Sequence, residues 1–497
     1  MNVAMLLEMA AMAGDGRVAV GPADGGATHA ELLEHSRRVA GWIASTDAAH
    51  VCYLGGNGPD VVHLLFGSAV AGRPFVPLNY RLTRDQLRHL LERVAPAVVV
   101  TDDAMALPEI DVPGVTRVPL AAFRAAAAQT AVPDPVPEPD PDAVAVQIFT
   151  SGTTAAPKAA TLRNRHLASY VLSSVELMTA APDECALVSV PPYHIAGMIG
   201  LLTAVYAGRR IAPLPQFDAK AWVVHAREQR ATHAMVVPTM LTRIIDVLEA
   251  EGETLPALRH LSYGGGRMPT PVIERALRLL PHVDFVNGYG LTETSSTIAV
   301  LGPQDHRDAI ASSDPQVRAR LASVGKPIPG VEIEVRDPAG RVVGPGERGE
   351  IHVRGPQVAG EYAGTSVLGP DGWFATKDAG HIDADGYLFL DGRLDDVIVR
   401  GGENVPPGEV EDVLVAHPAV AEAAVVGLPH VEWGETIVAA VVRKPDAQVS
   451  GEELREWVRG RLRSSRTPER VVFVDALPYT DSGKLLRRVL RAELAAG

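Results

Sequence analysis

The chain has 497 residues, 46% hydrophobic and 21% charged, with a formal net charge of −14. That length exceeds what one core supports, so about two to four folding units of a soluble globular protein are expected. The acidic balance argues against general nucleic-acid binding, and neither a basic-then-apolar leader nor an apolar run of roughly 18 residues marks a secretory signal or a membrane span.

Taken in chain order, the first elements are amphipathic patterns at 5–12 and 28–44. The second opens with Thr28-His29-Ala30-Glu31, the spacing of a helix capping box. Short apolar strands then alternate with helices: 51–54, 60–71, 75–77, 84–94 and 97–101. That alternation is the signature of βαβ units and a mostly parallel sheet. Cys52 and Cys185 have no paired spacing and read as reduced thiols of a cytoplasmic protein. Residues 132–142, with prolines between acids, read as a stiff surface connector.

The apolar run 143–149 reads as a buried strand, followed by Thr150-Ser151-Gly152-Thr153-Thr154-Ala155-Ala156-Pro157-Lys158. After Arg163 the apolar spacing becomes helical. The stretch is therefore expected as a strand-to-helix loop, dense in hydroxyl and backbone N–H donors and closed by one ammonium. A polyphosphate needs such convergent donors and a cation. It is not the common nucleotide loop, because Gly-x-x-x-x-Gly-Lys-Ser/Thr occurs nowhere in the chain. An ordinary polar turn is the plainer alternative.

The alternation resumes with strands at 187–190, 234–238, 258–263 and 283–287 and helices at 199–206, 239–250 and 271–280. The third of these strands runs into Gly264-Gly265-Gly266, and the fourth into Gly288-Tyr289-Gly290-Leu291-Thr292-Glu293-Thr294. Ligands of open parallel sheets sit beyond the carboxyl ends of strands, so one shared site is expected. From about 324, frequent turn signals suggest a small β-rich unit. A last unit after Arg393-Leu394-Asp395-Asp396 has strands at 423–426 and 437–443 and helices at 451–462 and 484–495.

Four strings in this order resemble the adenylate-forming superfamily, in its acyl- and aryl-CoA synthetase branch. They are 150–158, 288–294, 373–393 and Thr480-Asp481-Ser482-Gly483-Lys484. The resemblance covers nearly the whole chain. It implies an α/β fold with a large multi-layered N-terminal domain of parallel sheets plus a β-rich subdomain (1–394). A small hinged α+β C-terminal domain (395–497) would follow. It also implies a two-step reaction in which a carboxylate attacks MgATP to give acyl-AMP and pyrophosphate, and the thiol of CoA then displaces AMP. The small domain is expected to swing between the steps.

Residue roles follow from the same resemblance. Lys484, one of six lysines, would bridge the acyl carboxylate and the α-phosphate, where charge develops in the transition state. Glu293 would be the Mg²⁺ carboxylate and Thr292 an α-phosphate contact. Thr150, Ser151, Gly152, Thr153, Thr154 and Lys158 would hold phosphate. Gly264, Gly265, Gly266, Asn287, Gly288, Tyr289 and Gly290 would border the nucleotide, with Tyr289 offering a face to adenine. Asp378 and Arg393 match the ribose-binding pair, and Asp395 the hinge. Gly401, Gly402 and Glu403 match the loop used for thioester formation. His194 would border the acyl site.

Ala155 and Ala159 stand where the family pattern has glycine, and alanine resists positive φ. Either the backbone there is not left-handed, or the loop is stiffer. The candidate acyl walls (His194, Gly197, Met198, Pro238, 264–266 and 291–296) are small, apolar or weakly polar, and favour a bulky hydrophobic monocarboxylate. A carrier-protein phosphopantetheine is the alternative acceptor, and a non-catalytic nucleotide-binding regulator the alternative class. Oligomeric state, a homodimer included, is left open.

Overall fold

Thr28 caps the helix His29–Ala44 as its spacing predicts. Its hydroxyl accepts from the Glu31 amide, and the Glu31 carboxylate accepts from the Thr28 amide. Thr83 and Gln86 do the same for Arg84–Val94, which fixes where both helices begin. The computed structural model describes residues 1–496 apart from 15, 103–104, 106–110, 134–137, 139, 151–156, 402 and 480–484, and apart from the side chains of 404 and 496.

Two large sheets carry the N-terminal part. One has nine strands, of which Arg210–Pro213, Cys185–Val188, His233–Val236, His260–Gly264 and Asp284–Leu291 lie side by side and parallel. The other has eight, with Val144–Thr150, Phe75–Leu78, His50–Leu54, Ala97–Thr101 and Val115–Pro119 parallel in that order. One core joins them. Val51, Phe75 and Val146 of one sheet and Val20, Val188 and Ile211 of the other meet through Leu6, Leu32, Phe66 and Leu202 of intervening helices. Each such side chain contributes about 1.5–3 kcal/mol by leaving water.

A four-stranded antiparallel sheet follows, Glu332–Arg336, Gly349–Arg354, Phe374–Ile382 and Leu388–Arg393. This is the β-rich unit that the turn signals predict. The C-terminal unit has a five-stranded sheet built on Val420–His430 and Gly434–Arg443, flanked by Pro407–Val415, Gly451–Arg459 and Arg487–Ala496. It has its own core of Val410, Leu414, Val425 and Ile437. The α/β architecture with a smaller α+β end agrees with the sequence reading. Among the described residues, no helix is long and apolar enough to cross a membrane.

Two local expectations are corrected. Lys158 does not close a strand-to-helix loop; it begins a strand, Lys158–Arg163, that pairs back on Val144–Thr150, and the helix Asn164–Ser174 comes only afterwards. The donor-rich stretch is therefore the connection of a hairpin. Gly288, Tyr289 and Gly290 do not form a loop either, since the strand Asp284–Leu291 runs through them. Pairing on both sides, with His260–Gly264 and Ser296–Leu301, outweighs the weak strand preference of glycine.

Candidate functional site

Glu293 lies in a short 3-10 turn, Thr292–Thr294, directly after the strand Asp284–Leu291. Its side chain is buried (8% exposed). Oε1 accepts from the Tyr362 hydroxyl, and its carbonyl accepts from the amides of Ala359 and Gly360 at 2.8 and 3.0 Å. The rest of the turn is as firmly held. Thr294 Oγ1 bonds the backbone of Leu291 and Ser296, and Gln357 Nε2 donates to the carbonyls of Thr294 and Thr297. Ser295 and Ser296 both have positive φ, 55° and 105°. Serine adopts that region at a cost, and such strain gathers at functional sites.

Asp378 and Arg393 face each other across neighbouring strands in direct register. Arg393 donates to Asp378 Oδ1 at 3.0 Å and to the Thr376 carbonyl at 3.1 Å, and the Tyr289 hydroxyl donates to Asp378 Oδ2 at 2.7 Å. Burial, then the neighbouring Asp378, pushes the Tyr289 hydroxyl well above its ordinary range, so it stays a donor. Burial works to lower the Arg393 pKa, yet the ion pair with Asp378, with Tyr289 and Glu293 nearby, raises it. Lys377 at φ 60° and a register shift at Ala379/Gly380 accompany the inward turn of Asp378, the re-aiming that a bulge provides.

Thr150 and Lys158 stand opposite each other at the stem of the hairpin, with Thr150 Oγ1 donating to the Lys158 carbonyl at 3.3 Å. The Lys158 ammonium lies 5.3 Å from the centroid of the Tyr362 ring. Tyr362 belongs to a two-residue strand, Glu361–Tyr362, paired with Lys158–Arg163. The stem and Glu293 thus meet across one tyrosine. Ser151, Gly152, Thr153, Thr154 and Ala155 lie outside the described residues. Ala159 lies inside the strand, opposite Phe149 and buried, and its φ is not positive. Its backbone is extended, so a methyl group there meets no left-handed conformation.

Gly264 pairs with Gly288, and a Cβ on Gly264 would lie 2.2 Å from the Gly288 carbonyl oxygen. Glycine there permits the strand ends to close together. Gly265 and Gly266 continue past the strand beside Val237 and Pro238. Asn287 donates to the Ser323 carbonyl at 3.0 Å, which engages its amide within the protein. The Tyr289 ring is 8% exposed. His194 precedes the helix Ile195–Ala207, its ring 4.6 Å from that of Tyr193, and this helix packs on Ser296–Leu301. Met198 has no exposed surface and belongs to the core, so it drops out as an acyl wall.

On the C-terminal side, Asp395 is exposed in the turn Leu394–Asp396. Gly401 links the antiparallel strands Ile398–Arg400 and Glu403–Val405, its amide donating to the Trp433 carbonyl at 2.8 Å. Glu403 reaches Arg466 at 3.3 Å. Gly402 and Lys484 lie outside the described residues. Arg267, just past Gly266, ion-pairs with Asp412 and lies over Gly408, where any Cβ would overlap its guanidinium.

Sequence reasoning missed Tyr362, Gln357, Arg267 and the pair Arg163–Glu361, whose two bonds measure 2.8 and 2.7 Å. Each acts across a long sequence separation, and no local spacing announces it. The arrangement suits a nucleotide triphosphate, pairing an acid–guanidinium couple at Asp378 and Arg393 with a carboxylate at Glu293 and an ammonium at Lys158. Among the described residues no group of three His, Cys, Asp or Glu could hold a metal ion by itself. A lone carboxylate beside phosphate oxygens is what Mg²⁺ uses, and Glu293 fits that role.

Comparisons with known proteins agree with this geometry. The AMP-binding enzyme family matches residues 7–363, and the AMP-binding enzyme C-terminal domain matches 409–484. The chain is 34% identical to the fatty acid–[acyl-carrier-protein] ligase ScoC of Streptomyces coeruleorubidus, over 93% of this chain and 91% of that one. It is 35% identical to a feruloyl-CoA synthase of an Amycolatopsis species, over 93% of each. The solved o-succinylbenzoate CoA synthetase (MenE) of Bacillus subtilis, in complex with its acyl-adenylate intermediate, superposes with a TM-score of 0.84. That match has 28% identity and covers 98% of this chain and 97% of that one.

Proposed function

Because the chain belongs to the AMP-binding enzyme family, we propose that it is an ATP-dependent carboxylic acid–CoA ligase that forms AMP. The observation carrying this reading is that Glu293 and the Lys158 stem share Tyr362, while the strand leading into Glu293 presents Tyr289 to the Asp378–Arg393 pair. In the first step a carboxylate oxygen attacks the α-phosphorus of ATP and the bond to the β-phosphate breaks, releasing pyrophosphate. In the second, the CoA thiol loses its proton, attacks the acyl carbon, and AMP leaves.

Asp378, oriented by Arg393 and Tyr289, accepts from the ribose hydroxyls. The hairpin hydroxyls and Lys158 hold the pyrophosphate end, and Thr292 contacts the α-phosphate. Glu293 is the residue that would hold the Mg²⁺ of MgATP, an ion that would offset phosphate charge when bound. Lys484 steadies the charge that develops between acid and phosphate. Asp395 is the hinge about which 395–497 turns, bringing Gly401, Gly402 and Glu403 to the thiol. His194 borders the acid. Small and apolar neighbours favour a bulky hydrophobic monocarboxylate, and two free buried thiols, Cys52 and Cys185, support a cytoplasmic setting.

The test is mass spectrometry of reactions holding enzyme, MgATP and a panel of carboxylic acids, with and without CoA. Acyl-CoA formed from an aryl or long acyl acid supports the reading. A second reading, loading of a carrier-protein phosphopantetheine, is favoured by the likeness to ScoC. It predicts acyl-AMP that ignores CoA and discharges onto a holo carrier protein.

A further inference from the structure

Among the described residues, Tyr362 joins Glu293 to Lys158. Its hydroxyl donates to Glu293 Oε1, and its ring lies 5.3 Å from the Lys158 ammonium, within cation–π reach. Its own position is fixed from two directions. Tyr362 pairs with Ala160, and the next amide, Ala363, donates to the Ala159 carbonyl at 3.0 Å. The preceding residue, Glu361, is buried and grips Arg163 through two parallel bonds. The hydroxyl is thus delivered by a short strand paired with the one that the lysine itself begins.

From this geometry we propose that Tyr362 is a positioning residue for metal-nucleotide binding. It holds Glu293 in one rotamer with Oε2 turned to the incoming ion, and it registers that carboxylate against the Lys158 ammonium. The inference rests on the reading of Glu293 as the metal carboxylate. The physical reason is general. A ligating carboxylate fixed by a neighbour's hydrogen bond loses no side-chain freedom when the ion arrives, and loss of such a neighbour weakens binding although it never touches the ion.

The experiment is a titration of Mn²⁺, followed by its electron paramagnetic resonance signal, onto the enzyme saturated with the non-cleavable analogue α,β-methylene-ATP. It compares wild type, Tyr362→Phe, Glu293→Gln and the double variant. Phenylalanine keeps the ring under Lys158 and removes only the hydroxyl. Tyr362→Phe is expected to weaken Mn²⁺ about tenfold to a hundredfold, the usual effect of losing a neighbour that orients a metal ligand. Affinity for the analogue without metal, and the unfolding temperature, should stay at wild-type values. Glu293→Gln is expected to weaken Mn²⁺ further, and the double variant no more than Glu293→Gln alone, because the hydroxyl acts only through that carboxylate. Equal Mn²⁺ affinity in Tyr362→Phe and wild type, or losses that multiply in the double variant, would overturn the proposal while leaving Glu293 in its role. A Glu293→Gln variant that binds Mn²⁺ as wild type does would overturn both.

Discussion

The turn that carries Glu293 and the hairpin that carries Gly401 serve successive steps of the proposed reaction, yet the chain holds them in different ways. Glu293 is buried, and its carboxylate, its carbonyl and the turn that follows are bonded by Tyr362, Ala359, Gly360, Thr294 and Gln357. Gly401 is exposed and held by the hydrogen bond from its amide to the Trp433 carbonyl, and it lies a few residues beyond the equally exposed Asp395. Adenylation concentrates charge at one point, and donors that need no reorganisation serve it best. Thiol transfer needs access, which a tightly bonded turn would deny. In the proposed reaction the many bonds around Glu293 therefore suit the first step, and the lightly held Gly401 suits the second.

The largest effect expected from that division is at Lys484. Lys484→Ala should slow acyl-adenylate formation about a thousandfold, while a pre-formed acyl-adenylate is still passed to CoA at a rate near wild type. Pyrophosphate exchange and single-turnover transfer, measured on the same variant, check this. Equal losses in both steps would erase the distinction between the two sides.

Next comes the anchor of the Glu293 side. Glu361→Ala leaves Arg163 partly buried without its partner, which should cost about 3 kcal/mol of stability, read by urea denaturation. Glu403→Ala, at the exposed hairpin, should leave the unfolding midpoint unchanged. Acid provides a third comparison. Burial, then the adjacent Arg165, lowers the His166 pKa from 6.5 to about 4. The unfolded chain therefore takes up the proton first. The stability contributed by neutral His166 is complete above pH 6.5 and falls as pH drops, by up to about 3 kcal/mol once below pH 4. His166→Asn should flatten this part of the stability–pH curve. The smallest effect belongs to the contact between the two sides. Arg267→Ala removes an exposed pair worth at most about 1 kcal/mol, so cleavage near Asp395 by a protease should quicken about fivefold or less without any change in unfolding temperature.

The sequence carried the fold well where the signal was local. The capping box at Thr28, the strand Ala97–Thr101 and the turn-rich texture after 324 stand as read, and the strand read at 258–263 forms at His260–Gly264. It failed where pairing partners lie far away. Nothing near Lys158 announces that it pairs with Thr150, and nothing in Gly288-Tyr289-Gly290 announces strands on both sides. The site divides in the same way. Glu293, Asp378 and Arg393 could be named from their strings, and the last two meet in register. Tyr362 could not, because its partner Glu293 is 69 residues away in the chain. The doubt raised by Ala159 disappears for the same reason, since strand pairing sets its backbone.

Arg267 lying over Gly408 has a kinetic consequence. The glycine supplies a flat seat, and the bond to Asp412 adds a free energy comparable to a few times thermal energy at most. A pair worth about 1 kcal/mol biases docking only some fivefold. So weak a pair is not a lock on the docked arrangement. In the proposed cycle the exchange between the two steps is governed by how tightly the nucleotide itself bridges the seam, with departure of pyrophosphate as the clock.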